Sequence, residues 1–304
     1  MAAVARPASA VWRFLAIWLL VRVVGRLPVC TLYAGADVAA ALAWAASPRL
    51  RAVTRGHMRH ALTRGDVAPS TQAVDRAARG CARSAARYYA DFARSPHQAP
   101  ERAFAEVECW DGIDHFFSAY DRGCGVIMIS AHLGGPEFLV RAASFLGMEM
   151  LALTEPLSPP RLHALVHEVR NAPGARFVPT GRGGVRETIE QLRGGRVVAL
   201  LADRELQGAG RSVPFFGERT RLPSGPVELA LRTGAAVVPT FTYRTGTARY
   251  RVVFKPALAL PRGGGREAEV EAGMLALACV LEDGIRAAPE QWFALQPVWR
   301  GLPR

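Results

Sequence analysis

Beyond Pro96-His97-Gln98-Ala99-Pro100 the sequence alternates short apolar runs with helical stretches, and this alternation limits the fold more than any other feature. Runs at 125–130, 150–154, 176–179, 196–202, 236–243 and 250–254 have strand length and β-branched or aromatic content. Between and after them, 136–146, 160–171, 185–192, 224–233 and the long 266–287 have helical spacing, and 260–265 is a Pro/Gly-rich loop. Strands separated by helices need crossover connections. The pattern therefore predicts an α/β fold with a mixed, mostly parallel sheet flanked by helices. No internal repeat competes with that reading.

The first 95 residues have a different texture and predict a helical, membrane-facing region ahead of an α/β core at 96–304. Phe14–Val21 is apolar but bounded by Arg13 and Arg22, too short for a bilayer that needs about 20 apolar residues. No small-residue cleavage site follows, so a signal peptide fits poorly. A helix lying in the interface fits better, with Trp12, Phe14, Leu15, Trp18, Leu19 and Val23 on lipid and Arg6, Arg13, Arg22 and Arg26 on headgroups. Packing on the protein's own core and a true span are the alternatives. Ala34–Ala46 reads as a packed helix ending at Ser47-Pro48. Arg49, Arg51, Arg55 and Arg59, then Arg76, Arg79, Arg83 and Arg87, form two basic stripes. Each alone is a solvated face; together with the apolar start they suit an anionic membrane surface.

The net charge of +12 favours anionic partners, although only Lys255 among the 38 basic residues is Lys. No aromatic-basic recognition motif supports a nucleic-acid partner. Five scattered cysteines at 30, 81, 109, 124 and 279 make neither a disulfide scaffold nor a zinc knuckle, which points to a reducing compartment.

The segment that carries chemistry is Gly125-Val-Ile-Met-Ile-Ser-Ala-His132-Leu-Gly-Gly-Pro136-Glu137. A strand runs into His132, two glycines permit a tight turn, and Pro136 suits the first turn of a helix. His132 is thereby placed at a strand's C-terminal end, where α/β proteins put their sites. Glu137, in the first helical turn, is within reach of the imidazole. A His can take the proton of an attacking alcohol, and a carboxylate on its other nitrogen fixes the tautomer. Backbone N–H groups of Gly134 and Gly135 are candidate oxyanion donors. There is no G-x-S-x-G elbow and no P-loop.

Other features read as structure. His163 and His167, on one helix face, lack the further ligands of a metal site. His57 and His60 read as surface residues, and Tyr243, Tyr250, Trp292 and Trp299 as core or rim. Gly181-Arg-Gly183-Gly184 reads as a turn before a helix, with Arg182 and Arg186 able to meet a phosphate.

The segment His132-Leu-Gly-Gly-Pro-Glu137 resembles the H-x4-D/E motif of the lysophospholipid acyltransferase superfamily. The chain is most similar to the branch holding bacterial lipid A biosynthesis acyltransferases and actinobacterial phosphatidylinositol mannoside acyltransferases. Leu200-Leu-Ala-Asp203-Arg204-Glu205, Pro214-Phe-Phe-Gly217-Glu-Arg219-Thr220 with Leu222-Pro223-Ser-Gly-Pro226, and Leu229-Ala-Leu-Arg-Thr-Gly234-Ala-Ala-Val-Val-Pro239 resemble further blocks of that branch, as does Arg87-Tyr88-Tyr89-Ala-Asp91-Phe92. The resemblance implies transfer of an acyl group from a coenzyme A or acyl carrier protein thioester to a glycolipid hydroxyl, at the cytoplasmic face of the cell membrane. It implies no metal and no resident cofactor. His132 would be the base, Glu137 its orienting carboxylate and Glu205 a further carboxylate nearby. Gly134, Gly135, Asp203, Arg204, Arg219 and Arg221 would meet substrate, although Arg219 and Arg221 also read as a surface-loop pair. A phosphatidylinositol mannoside is the best-fitting acceptor. The alternatives are a lipid A-type acceptor and an inactive lipid-binding protein on the same fold. Where the branch commonly reads H-x-G-N-W-D/E, this chain has Gly135 and Pro136 in place of the Asn-Trp pair.

Overall fold

The computed structural model describes residues 7–144, 148–171, 175–205, 208 and 210–303, so Arg6 lies outside the described residues. Four helices come first: α1 (Pro7–Arg22), α2 (Val29–Ala46), α3 (Pro48–Leu62) and α4 (Thr71–Arg94). Ser47 and Ser70 start α3 and α4 by accepting from Leu50 N–H (3.1 Å) and Ala73 N–H (3.2 Å), satisfying donors that the first helical turn leaves open. There follow α5 (Pro100–Ala105), β1 (Val107–Asp111), α6 (Ile113–Tyr120), β2 (Val126–Ser130), α7 (Pro136–Ser144), β3 (Met150–Thr154), α8 (Pro160–Arg170), β4 (Ala175–Pro179), α9 (Arg182–Arg193) and β5 (Val197–Leu201). The chain continues through β6 (Arg211–Phe215), β7 (Glu218–Leu222), α10 (Gly225–Thr233), β8 (Ala236–Gly246), β9 (Arg249–Phe254) and α11 (Arg266–Ala287).

Among the described residues seven strands form the main sheet, in the order β1-β9-β8-β2-β5-β3-β4. Every neighbouring pair is parallel except β8 and β9, which form an antiparallel hairpin. This is the mixed, mostly parallel sheet expected from the alternation. Buried strands such as β2, with Val126, Ile127 and Ile129 wholly enclosed, are covered on both faces, which parallel pairing requires. One core cluster joins Met58 of α3 and Ala78 and Cys81 of α4 to Ile127 and Ile129 of β2 and Leu281 of α11. The core is therefore continuous across residue 95.

Strand β1 and helix α6 were not anticipated, nor was the hairpin of β6 and β7, whose Phe-Phe-Gly segment the sequence presents as a loop. Phe216 and Gly217 make its two-residue turn with φ of 52° and 82°, the mirror-image geometry that matches strand twist. A bulky residue at positive φ needs compensation. Phe216 has it: its N–H donates to Glu282 Oε1 at 2.5 Å and its ring lies 4.8 Å from the Arg286 guanidinium.

Helix α1 divides its apolar surface. Val21 is buried, and with Phe14 and Ile17 it packs on Leu162, Val166 and Val169 of α8, while Val11, Trp12, Leu15 and Leu19 are exposed. Helix α2 is long and apolar enough to cross a bilayer by length and composition, yet Ala40 is buried and Leu32, Tyr33 and Ala36 are buried in a cluster with Ala90 of α4. The basic stripes are partly spent inside the protein. Arg55 forks onto Asp75 and Arg87 onto Asp37, and Arg51 donates to the carbonyls of Trp44 and Ala45. Arg49, Arg59, Arg76, Arg79 and Arg83 face outward.

His57 is not a surface residue. It is 0 % exposed, stacks on Trp292 with ring centroids 5.0 Å apart, and accepts the Val298 N–H on Nε2 at 3.2 Å. His60 is half-buried and stacks on Trp299 at 3.9 Å. Burial pushes the His57 pKa down to about 4, with the neighbouring His60 adding to the effect. Between about pH 6.5 and that value the unfolded chain binds a proton that the folded chain refuses. Stability therefore falls as pH is lowered through this window, by about 3 kcal/mol in all. Urea unfolding at pH 7 and pH 4.5 should reveal the loss, and His57→Gln should flatten it. An unchanged slope in the variant would assign the acid sensitivity to another group.

Candidate active site

The edge that carries His132 follows from strand register. β2 and β5 are parallel neighbours with Ser130 opposite Leu201, and Ala202 N–H continues the ladder to Ser130 C=O at 2.9 Å. His132 and Asp203 therefore leave the sheet at the same level, on the C-terminal side where α/β sheets open. Their side chains meet: His132 Nδ1 lies 2.8 Å from Asp203 Oδ1. Trp292 Nε1–H donates to the other oxygen, Oδ2, at 2.8 Å.

Asp203 is wholly buried behind the imidazole. Burial pushes its pKa up, but the charge and hydrogen bond of His132, the Trp292 donor and Arg204 outweigh that and hold it at about 2. A carboxylate at this position fixes Nδ1–H as donor and leaves Nε2 able to accept a proton. Asp203, expected to meet substrate, instead lies behind His132 and occupies the orienting position expected of Glu137.

Glu137 faces elsewhere. In the first turn of α7 it accepts from Tyr88 Oη–H at 2.6 Å and pairs with Arg170, whose Nη1 also donates to Thr154 Oγ1 at 2.7 Å. Burial and the Glu137 charge drive the Tyr88 phenol well above its ordinary pKa, so it stays a donor. Glu137 thus joins α4, α7 and α8 on the cavity wall without being a partner of His132. Tyr88 lies in the Arg87–Phe92 block, though nothing there signals a carboxylate partner, and Arg170 carries no motif of its own.

The two glycines are fixed by close approach. A side chain on Gly134, at φ 60°, would begin 1.9 Å from Thr242 O, and one on Gly135 would begin 2.9 Å from the Tyr250 ring. Their N–H groups are already donated, Gly134 to Gln291 O at 3.2 Å and Gly135 to Thr242 O at 3.4 Å. They are therefore not the free oxyanion donors anticipated. Leu133 bridges Trp292, and Phe293 N–H donates to His132 C=O at 2.7 Å, so residues 291–293 run as a strap along the His132 turn.

Arg204 and Glu205 line the cavity. Arg204 is paired with Glu155 at 3.4 Å, and Glu205 Oε2 lies against Gly210. Arg219 and Arg221 do not reach the site. They alternate outward on β7, where Arg219 donates to Ser212 and Arg221 to Gly208 C=O at 3.0 Å, while Thr220 between them turns inward to Val298. His163 and His167 sit with ring centroids 4.1 Å apart on α8, and His163 Nδ1 accepts the Leu157 N–H at 3.3 Å.

His132 opens into a cavity of about 1520 Å³, beyond the ~300–1,000 Å³ usual for a drug-sized ligand. One side is apolar, lined by Ile17, Phe92, Leu139, Leu162, Val166 and Phe177; another is walled by arginines of α9, α10 and the start of α11. A base, a buried carboxylate and a large divided cavity can deprotonate a hydroxyl beside an extended amphipathic molecule.

Residues 4–301 match the family model described as bacterial lipid A biosynthesis acyltransferase. The phosphatidylinositol mannoside acyltransferase of Mycobacterium tuberculosis is 34% identical over 225 residues, covering 70% of this chain and 67% of that protein. The protein of the same name from Mycolicibacterium smegmatis is 32% identical over 238 residues, covering 76% and 75%.

Proposed function

The chain belongs to the bacterial lipid A biosynthesis acyltransferase family and is an acyltransferase acting on lipids, and from that premise we propose that it moves a fatty acyl group from an acyl thioester to a hydroxyl of a phosphatidylinositol mannoside or closely similar glycolipid. The observation that carries the reading is the His132–Asp203 pair at the wall of a cavity with one apolar side.

His132 Nε2 takes the proton of the acceptor hydroxyl as its oxygen attacks the thioester carbonyl. The Asp203 carboxylate stabilises the imidazolium that forms. The tetrahedral intermediate collapses, the carbon–sulfur bond breaks, and the departing sulfur takes the proton from the imidazolium. The products are a glycolipid ester and a free thiol. A thioester is already activated, so positioning and one base suffice without an acyl-enzyme.

The lipid ends reach the site from the membrane side. Trp12 and Ile17 of α1 line the cavity, and the same helix exposes Val11, Leu15 and Leu19. Placed against a bilayer, α1 gives the acyl chain and acceptor an apolar route to His132.

Incubating the protein with radiolabelled palmitoyl-coenzyme A or palmitoyl carrier protein and phosphatidylinositol mannoside in vesicles tests the reading. Label should appear in the glycolipid with the wild type and fall at least a hundredfold with His132→Ala. Equal labelling by both proteins would remove His132 as the base. Labelling of a lipid A precursor in preference to the mannoside would reassign the acceptor.

A further inference from the structure

We infer that Trp292 is a positioning residue of the acyl transfer: through its indole N–H it fixes where the Asp203 carboxylate stands and how much of that charge reaches His132. This rests on the acyl-transfer reading above and adds to it a residue outside the cavity.

The carboxylate is shared. Its Oδ1 lies 2.8 Å from His132 Nδ1 and its Oδ2 accepts from Trp292 Nε1–H at 2.8 Å. Asp203 is wholly buried, so bulk water replaces neither donor. A carboxylate held at both oxygens cannot turn without giving up one of them. Phe293 lines the cavity, whereas Trp292, one residue earlier in the strap, is enclosed in the core behind the pair.

The indole has little freedom of its own. His57 of α3 stacks on it with centroids 5.0 Å apart, and Phe216 lies tilted at 5.9 Å. Phe215 and Trp299 meet it edge to face at 6.2 and 6.1 Å. Its backbone is tied down as well: Cys81 Sγ–H of α4 donates to the Trp292 carbonyl at 2.9 Å, and Leu133 bridges to the same residue. Helices from the first 95 residues therefore hold the group that holds Asp203.

A neighbouring indole shows what packing alone looks like. Trp299 is 2% exposed in the same aromatic group, yet among the described residues its Nε1 has no hydrogen-bond partner. Both rings fill core, and of the two only Trp292 aims its N–H at a carboxylate.

Charge gives the sign of the effect. With two donors, the negative charge of Asp203 is divided between imidazole and indole. Without the indole N–H, His132 alone meets that charge, and the imidazolium form gains. The base then stays protonated to higher pH, and the acid limb of kcat/KM moves up. The other groups around the pair do not supply such a limb near neutral pH. Burial pushes the Cys81 thiol up to about 12 and the His57 imidazole down to about 4. Arg204, beside Asp203, is paired with Glu155. The β6–β7 hairpin presents Phe215 and Phe216 to the indole, and behind Phe216 Arg286 is paired with Glu282. His60 is paired with Glu218 and stacks on Trp299, so a change at Trp299 controls for it.

The test compares Trp292→Phe with Trp299→Phe over the full pH profile. Trp292→Phe should lower kcat about tenfold or more with KM for donor and acceptor held, and raise the acid limb of kcat/KM by about one unit. Trp299→Phe should also lower thermal stability, yet leave kcat and the limb in place. Replacing Trp292 by 3-benzothienylalanine, with sulfur where the N–H stood, keeps the ring shape. It should reproduce the shift, and it decides the matter if Trp292→Phe does not fold. A limb that stays or moves down in a folded protein lacking the N–H would overturn the inference, as would an equal shift from Trp299→Phe. If the wild type transfers from no thioester, the acyl-transfer reading fails by itself. NMR titration of the His132 ring then still decides the role of the indole: the midpoint should lie higher in the benzothienyl protein than in the wild type, and equal midpoints would deny it.

Discussion

Asp203→Asn lowers kcat by about a thousandfold or more at neutral pH, while Glu137→Gln lowers it by about tenfold or less. Asp203 accepts from His132 Nδ1 at 2.8 Å and from Trp292 Nε1 at 2.8 Å, so its oxygens define the tautomer. An Asn amide turned to satisfy Trp292 with its oxygen presents N–H to Nδ1 and moves the imidazole proton to Nε2. The imidazole can then no longer accept the hydroxyl proton. With its pKa held at about 2, the carboxylate stays ionised at neutral and mildly acidic pH. In Glu137→Gln the amide oxygen still accepts from Tyr88, and the cost is borne by Arg170, which loses its counter-charge. That variant should lose roughly 1–3 kcal/mol of stability with most of its chemistry intact. Initial rates alongside circular dichroism separate the two outcomes. A folded Glu137→Gln more damaged in kcat than Asp203→Asn would mean that another carboxylate orients the base.

Asp91→Asn destabilises the protein by about 3–5 kcal/mol, a fall in Tm on the order of 10 °C. Asp91 accepts from Tyr33 Oη–H at 2.9 and 3.0 Å, Tyr250 Oη–H at 2.5 Å, Arg244 at 2.6 Å and Arg94 at 3.0 Å. Arg94 also forks onto Glu106 at 2.9 and 2.6 Å, so two guanidiniums balance two carboxylates in a nearly sealed cluster. Neutralising Asp91 leaves Arg244 buried without a counter-charge, and the desolvation cost of that cation is then unopposed. The effect should reach the site, because Arg244 also donates to Gly134 C=O at 3.4 Å and exchanges two backbone hydrogen bonds with the Gln291 side chain. Asp37→Asn is the control. Its pair with Arg87 is 35% and 26% exposed, and its loss should cost under about 1 kcal/mol. Thermal unfolding of the two variants checks the contrast, and equal losses would deny the cluster its role.

His132 was legible because it ends a continuous apolar strand and precedes a glycine pair, features local to a dozen residues. Its partner was not legible as a partner. The approach of Asp203 depends on which strands become neighbours and in what register, and adjacency of β2 and β5 is a property of the whole sheet. Glu137 drew attention by being near in sequence, but the helical turn that begins at Pro136 carries it to Tyr88 and Arg170. Arg219 and Arg221 failed for a related reason: alternation in a hairpin sends both outward once Thr220 is fixed inward. The Asp91 cluster joins α2, α4, β8 and β9, and a sequence offers no sign that two Arg and two Tyr so far apart will share one carboxylate. The alternating strand pattern survived because it needs only local hydrophobicity, whereas β1, with a single buried position, offered little of it.

The strap at residues 291–293 also orders events in time. Translation delivers every strand of the sheet and all of α11 before Trp292 is made. Until then Asp203 Oδ2 has no indole donor and the His132 carbonyl no N–H from Phe293. A chain that stops there also lacks Trp292, Phe293, Ala294 and Trp299 of the main core cluster, so both the brace and the packing beneath the sheet are incomplete. The last residues to be made thus close both the core and the brace behind His132, and a premature stop just ahead of Trp292 costs far more than the small mass it removes.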